Sequence, residues 1–460
     1  MKTSIALCAC AVVSGAVPAW AQDTGRQTAQ QAETARIATE IATRVAKEIA
    51  TQISTEVAAQ VASQVAAQLA NQAAPRAASV TPAQVPAAAP APAPNPEVPQ
   101  DKGGQKTKAP DDGKYRSRFY GSLDLGVEHV NNQVTGDRTY SSNRVSAGTA
   151  TPYFGYIHYQ PLRGNMVGVL NLEGGFSGDT GTSSLGTRLF GRQTYVGIIG
   201  DYGSLTFGRQ YTMRFWAVQA INPLGVGSQG LPTLDNGISN ARADNAVSYR
   251  IQHGKWDFGL NYSFGRDGVS ANSVVGTNCA GETAPSTQCR ERSVMLKYGD
   301  RQWGISSAYE ENLGGTAATF GNLTSPDKKD SRAILGGWYR TAGDTLLTLG
   351  WIRRDTDTYA PTPVSNLVWV GTSVPVTRQL VFDGMLGNIK YEDSPNGASM
   401  FTVRGVYALD DENKMAAYVT ADYVNNRGKS VFGATTSSPV VSPRPGGSQL
   451  SVIAGVRLKF

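Results

Sequence analysis

Beyond residue 115 the chain is a run of short segments in which apolar and polar residues alternate. The clearest is the last. Leu450, Val452, Ala454, Val456, Leu458 and Phe460 share one parity and Ser451, Gly455, Arg457 and Lys459 the other, with Ile453 the exception. A period of two over this length describes a strand with one greasy and one wetted face. Lys255 to Phe264 repeats the pattern, setting Trp256, Phe258, Leu260, Tyr262 and Phe264 against Asp257, Asn261 and Ser263. Arg118 to His129 sets Phe119, Leu123, Leu125 and Val127 against Ser122, Asp124 and Glu128. In Met166 to Phe176, Leu170, Leu172 and Phe176 oppose Asn171 and Glu173. One such strand would also suit a soluble sandwich. Acids behind strip after strip of apolar residues suit a barrel with lipid outside and water inside.

The connections alternate in length. Residues 161–164, 200–203, 253–254, 299–301 and 341–343 are short; 131–146, 211–243, 265–290, 312–330 and 425–447 are long. Transmembrane barrels show this asymmetry, with short periplasmic turns and longer outer loops. Tyr115, Tyr159, Trp303, Trp338 and Trp351 lie near segment ends, where aromatic girdles are expected. The count reaches sixteen strands if 364–372 is one, and an even number is needed for closure. The expected fold is therefore an all-β transmembrane barrel of 16 antiparallel strands over 115–460.

A different period governs the N-terminal part. Ile37, Ile41, Val45, Ile49, Ile53, Val57, Val61, Val65 and Leu69 recur every four residues, most followed by Ala. The Ala content and missing turn residues favour an α-helix, about 50 Å long at ~1.5 Å per residue. A step of four overshoots the helical turn, so the ridge winds round the helix and fixes no supercoil. Residues 22–74 are expected to form a coiled-coil-like, self-associating segment, or else a solitary Ala-rich helix. An Ala/Pro-rich linker follows over 75–114, a composition that builds no core.

Residues 1–21 read as a signal peptide: Lys2, an apolar stretch over 5–17, and Ala19-Trp20-Ala21 as the cleavage pattern. Charged residues make up 17% of the chain and the mean hydropathy is −0.27. An alternating barrel keeps such an average modest. From 115 to 460 there are 32 basic and 27 acidic residues. That excess has no clustered basic patch, so no nucleic-acid partner is expected. Cys279 and Cys289 sit in a polar loop of an exported chain, which suggests a disulfide; two free thiols are the alternative. No metal or cofactor is implied. His129, His158 and His253 are scattered, with no nucleophile motif beside them, so no enzyme activity is expected.

Five stretches stand out: Phe119-Tyr-Gly-Ser-Leu-Asp-Leu-Gly-Val-Glu128, Leu189-Phe-Gly-Arg-Gln-Thr-Tyr-Val-Gly197, Gly200-Asp-Tyr-Gly-Ser-Leu-Thr-Phe-Gly-Arg-Gln-Tyr211, Arg242-Ala-Asp-Asn-Ala-Val-Ser-Tyr249 and Gly455-Val-Arg-Leu-Lys-Phe460. They resemble the trimeric porins of Gram-negative outer membranes, in particular the beta-proteobacterial branch. The resemblance implies a homotrimer in outer-membrane lipid and lipopolysaccharide, with a third outer loop folded inward as a constriction. It also implies that Phe460 is a signal to the barrel-assembly machinery. The third loop would be 211–241. Its Gly225-Val-Gly-Ser-Gln-Gly230 matches a dinucleotide fingerprint but lacks the strand–helix context, and Pro232 interrupts it.

Arg192 and Arg242 fall where family wall arginines lie, while Tyr153 stands near where another would be. Asp235 is the acid well inside the loop, and Arg214 adds a positive charge there. Arg209 shares the parity of Leu205 and Phe207 and would need a bulge at Gly208 to reach the lumen. An ion pair or a place at an interface is the alternative for each arginine. A neck with more fixed positive than negative charge concentrates anions, so a diffusion channel with mild anion preference is expected. The N-terminal segment would hang in the periplasm and could reach peptidoglycan. The alternative reading is a structural tether of the outer membrane to the cell wall.

Overall fold

The structure, a computed structural model, describes residues 116–460 except 187, 239–240, 266–287, 316–322, 324 and 358–363. The expected signal peptide, helical segment and linker, together with Tyr115 and Cys279, lie outside the described residues.

The first strands are β1 (Arg116–Thr135), β2 (Arg138–Ser146), β3 (Tyr153–Pro161), β4 (Val167–Gly175), β5 (Gln193–Gly200) and β6 (Gly203–Tyr211). Two short helices follow, α1 (Met213–Gln219) and α2 (Leu231–Leu234). Then come β7 (Arg242–Ala243), β8 (Ala246–His253), β9 (Trp256–Ser263), β10 (Glu291–Gly299), β11 (Trp303–Leu313) and β12 (Lys329–Arg340). The last six are β13 (Leu346–Thr356), β14 (Val364–Pro375), β15 (Leu380–Tyr391), β16 (Gly397–Ala408), β17 (Met415–Arg427) and β18 (Ser448–Lys459).

These make a closed antiparallel barrel of sixteen staves, because two pairs of strands each form one stave. β2 pairs with the upper part of β1 and β3 with its lower part, and residues 147–152 step out of the wall between them. β7 and β8 both pair with β6. Closure joins the first strand to the last, from Ser122 opposite Lys459 to Val130 opposite Ser451. The backbones of Gly121 and Phe460 exchange two hydrogen bonds, both 3.1 Å. The uncertain stretch at 364–372 is strand, extending to Pro375.

Parity decides which face each residue takes. In β18, Ser451, Ile453 and Arg457 are buried toward the lumen while Ala454, Val456 and Leu458 are exposed outward. Ile453 breaks the pattern for a reason: it packs inside with Val406, Ala416 and Tyr418. Apolar side chains from Phe119 and Val127 to Leu349 and Leu386 cover the outer face, each more than half exposed. Apolar exposure on that scale is what a lipid-facing surface requires.

Three expectations need correction. Residues 131–146 are not a long loop: β1 and β2 continue past a bulge between Val130 and Gln133 and turn at 136–137. Their side chains are polar because these strand ends stand beyond the greasy band. Tyr159 faces inward among Ile157, Val167, Val169 and Tyr195, so it is no girdle residue. Trp338 also packs inward, its indole donating to Asp300 O at 3.0 Å. Trp256, Tyr298 and Trp303 do form an outer aromatic cluster at the short-turn end, with ring centroids 4.6 and 5.8 Å apart.

Candidate pore constriction

The third outer loop leaves the wall after Tyr211 and runs along the inside of the barrel. Its first part, Met213-Arg-Phe-Trp-Ala-Val, is almost wholly apolar and forms α1, which packs on the inner wall of β10–β12. The wall is shaped to receive it. A Cβ on Gly259 would meet Met213 Sδ at 2.1 Å, one on Gly336 the Ile221 Cδ1 at 2.4 Å, and one on Gly371 the Pro223 ring at 2.7 Å. Any larger residue at these wall positions would have to displace the loop side chains that pass there.

Wall side chains satisfy the loop's backbone along its course. Met213 N donates to Ser293 Oγ (3.0 Å), and Ala217 O accepts from Ser306 Oγ (2.9 Å). Ile221 O accepts from Trp369 Nε1 (3.0 Å), and Leu224 O from Arg404 Nη1 (2.8 Å). Gly230 N donates to Asp422 Oδ2 (2.8 Å). The donors and acceptors come from β10, β11, β14, β16 and β17, so the loop is tied round half of the sixteen staves. Polar backbone removed from water is expensive unless paired, and these ties supply the pairs.

The charged side chains collect where the loop leaves the lumen open, around a cavity of about 560 Å³ that Arg192, Arg242, Arg354 and Asp235 help line. Arg192 Nε is 2.5 Å from Glu173 Oε1, and its Nη2 donates to the Tyr211 hydroxyl at 3.0 Å. Arg242 Nη2 donates to the same hydroxyl at 2.6 Å. The two guanidiniums stack on rings, Arg192 on Tyr153 at 4.6 Å and Arg242 on Tyr211 at 4.4 Å. Tyr153 thus serves as the platform for Arg192 at the place where a further arginine was sought.

Opposite, Asp235 at the end of α2 is gripped by Arg332 through two contacts of 2.8 and 3.1 Å. Burial opposes its ionisation. The Arg332 guanidinium, with Arg354 and Arg214 behind it, outweighs that and holds the carboxyl well below the usual range. Arg332 and Arg354 also share Asp330, at 3.1 and 2.7 Å.

Of the residues expected in the constriction, Arg192, Arg242 and Asp235 come together around this cavity. Arg214 does not line the cavity: its Nε lies 3.1 Å from Glu310 Oε1 and its charge acts on Asp235 from behind. Arg209 does not either. It pairs across to Thr194 and shares the outward side with Leu205 and Phe207, bonded to Asp244 (2.5 Å) and Gly191 O (2.5 Å). Gly208 does have a positive φ of 124°, yet it leaves Arg209 on that side. Arg332, Arg354 and Asp330 escaped sequence reading. The signal for them is their inward parity with Ile334 and Ile352. Cys289 is fully buried just before β10.

The charged side chains that line the cavity are three guanidiniums (Arg192, Arg242, Arg354) and two carboxylates (Asp179, Asp235). A passage between such groups suits hydrated ions and small polar solutes, with a slight bias toward anions.

A family model described as Gram-negative porin matches residues 87–429. An outer membrane porin protein of Bordetella pertussis is 28% identical over 209 residues, which is 42% of this chain and 53% of the relative. The match thus spans about half the length of that protein. Among solved structures, the anion-selective porin from Comamonas acidovorans is similar at a TM-score of 0.60 and 20% identity, over 75% of this chain and 100% of that one. The trimer form of in-vitro folded OmpT of Vibrio cholerae is similar at 0.53 and 13%, over 75% and 99%. At these identities the likeness is one of fold.

Proposed function

The chain belongs to the Gram-negative porin family, a family of the outer membrane, and from that premise we propose that it forms a water-filled channel for passive diffusion of small hydrophilic solutes and ions. The observation that carries the reading is the third loop tied inside a closed barrel, leaving a charged aperture beside it. The excess of one guanidinium around that aperture supports a mild preference for anions, and Arg192, Arg242 and Asp235 are its central residues. The name of the Comamonas relative, an anion-selective porin, points the same way. Bilayer recordings in a salt gradient test this. A reversal potential of anion-selective sign is expected, and a clearly cation-selective one would overturn it.

The trimer form of the Vibrio relative supports a homotrimer here, with conductance rising in steps of three. The channel reading also takes in a cleaved signal peptide, a periplasmic helical segment over 22–74 joined by the 75–114 linker, and a Cys279–Cys289 disulfide closing the loop before β10. Peptidoglycan contact through the helix and recognition of Phe460 by the assembly machinery belong to the same proposal. A barrel lacking 22–114 should conduct as the full chain does; if it does not trimerise, the helix is an assembly device.

A further inference from the structure

We propose that the last outer loop, residues 428–447, is a second constriction element, which folds back into the mouth, fastens the third loop and lowers the size limit for solutes. The inference rests on the channel reading and adds to it a selectivity device of different chemistry.

The loop does not extend from the mouth. Its base is drawn together by Asn426, whose Oδ1 accepts from Phe432 N (2.8 Å) and whose Nδ2 donates to Phe432 O (3.0 Å) and Gly447 O (2.8 Å). The next turn enters the lumen. Ala434 N donates to Oε1 of Gln449, an inward residue of β18, at 2.9 Å. Ala434 is fully buried, and Phe432 packs against the same apolar cluster as the third loop. Thr436 then meets that loop directly: its N and Oγ1 both donate to Ser228 O, at 2.8 and 3.0 Å.

Ser228 is itself fastened. Its N donates to Gly148 O at 3.0 Å, and Gly148 N donates to the buried Asp124 carboxylate at 3.1 Å. Gly148 belongs to the 147–152 step between β2 and β3. A Cβ on Gly227 would meet Gly148 O at 2.5 Å, so the loop lies hard against that step. The far arm of the last loop is tied to the β1–β2 hairpin: Ser442 O accepts from Val134 N (3.1 Å) and Pro439 O from Arg144 Nη1 (2.6 Å). Three outer segments are thereby joined through one continuous line of hydrogen bonds, from Asp124 on β1 to Thr436.

The position matters for passage. Phe432, Thr435 and Ser437 line the same cavity as Arg192 and Arg242. A solute therefore passes between a charged wall and this loop. Residues 431–442 contain no charged side chain. A loop of that chemistry narrows the path without weighting it toward either sign of ion, whereas the arginines weight it without being its only walls.

The test replaces Val431 to Ser442 with two glycines in the full-length trimer and reads conductance, sugar permeation in liposome swelling, and reversal potential. Single-channel conductance should rise at least twofold and larger sugars should enter, while the reversal potential stays at the wild-type value. Unchanged conductance and size limit overturn the proposal. So does a changed reversal potential without a change in size limit. A second variant guards against a misfolded deletion. Cysteines placed at 228 and 436 should be joined by a short bifunctional thiol reagent, single-cysteine controls giving the background, and the joined protein should keep wild-type conductance. Failure to join them in a conducting trimer overturns the proposal. A wild type with no conductance would instead sink the channel reading beneath it.

Discussion

The inner wall has two halves with opposite chemistry. Under the third loop, β10 to β17 present Met295, Ile334, Ile352, Leu367, Trp369, Met385, Ile389 and Met400, all nearly or fully buried. On the uncovered side, β4 and the start of β5 present Asn171, Glu173 and Gln193, joined by Arg192. The rule of polar inside and apolar outside holds there only in part, because Val167, Val169 and Tyr195 also face inward on that stretch of wall. Where a loop of apolar residues lies on it, the barrel encloses a hydrophobic core, and the covered strands are buried on one face and in lipid on the other.

The largest effect is expected from breaking the covered half. Trp369→Ala removes a fully buried indole and its bond to Ile221 O; a loss of about 3–5 kcal/mol is expected. It should be read as a lower urea midpoint and as noisier current from a loosened loop.

Next comes the fastening of the loop to the wall it covers. Arg332→Gln leaves Asp235 buried without its bidentate partner, and breaking such a pair costs about 3–5 kcal/mol. Because Asp330 keeps Arg354, the lower part of that range is expected, again from urea unfolding.

The acid limb sharpens the same point. The carboxyl of Asp235 is held below its unfolded value, so its stabilisation is complete above about pH 4, the ordinary carboxylate range. It is lost as pH falls through the lowered native value. Thermal midpoints of wild type and Asp235→Asn should differ at pH 7 and draw together toward pH 2. A constant gap would show that the charge is not what Asp235 contributes.

The smallest stability change belongs to the edge of the covered half, where β13 reaches the cavity. The Arg354 side chain is 34% exposed and shares Asp330 with Arg332, so Arg354→Gln should cost under about 1 kcal/mol. Yet it faces the cavity, and its loss should move the reversal potential toward cations. If stability falls while the potential holds, the charge belongs to the framework and not to the passage.

The same comparison explains what was legible beforehand. The strands with a clean period of two, such as Trp256 to Ser263 and the terminal one, present mostly polar side chains inward. The doubtful stretch at 364–372 became β14, where Leu367 and Trp369 face the loop while Val368 and Val370 face lipid. With apolar residues on both faces its alternation vanishes, as in any strand covered on two sides. Arg192, Arg242 and Asp235 could be placed because they sit in or beside short motifs. Arg332 and Arg354 could not, because their role depends on where the loop returns, and no spacing in the chain encodes that. Arg209 shows that strict parity was the better guide than the bulge that Gly208 allows.

The seam between β1 and β18 carries a consequence for biogenesis. Glu128 accepts a hydrogen bond from Ser451, 323 residues later in the chain. Sealing therefore waits for the final segment to be delivered, and every earlier state keeps two unpaired edges, which invite pairing with other chains. Closing contacts so distant in sequence are slow to find. Until β18 is in place those edges stay open, and the seam it makes runs as far as the paired backbones of Gly121 and Phe460.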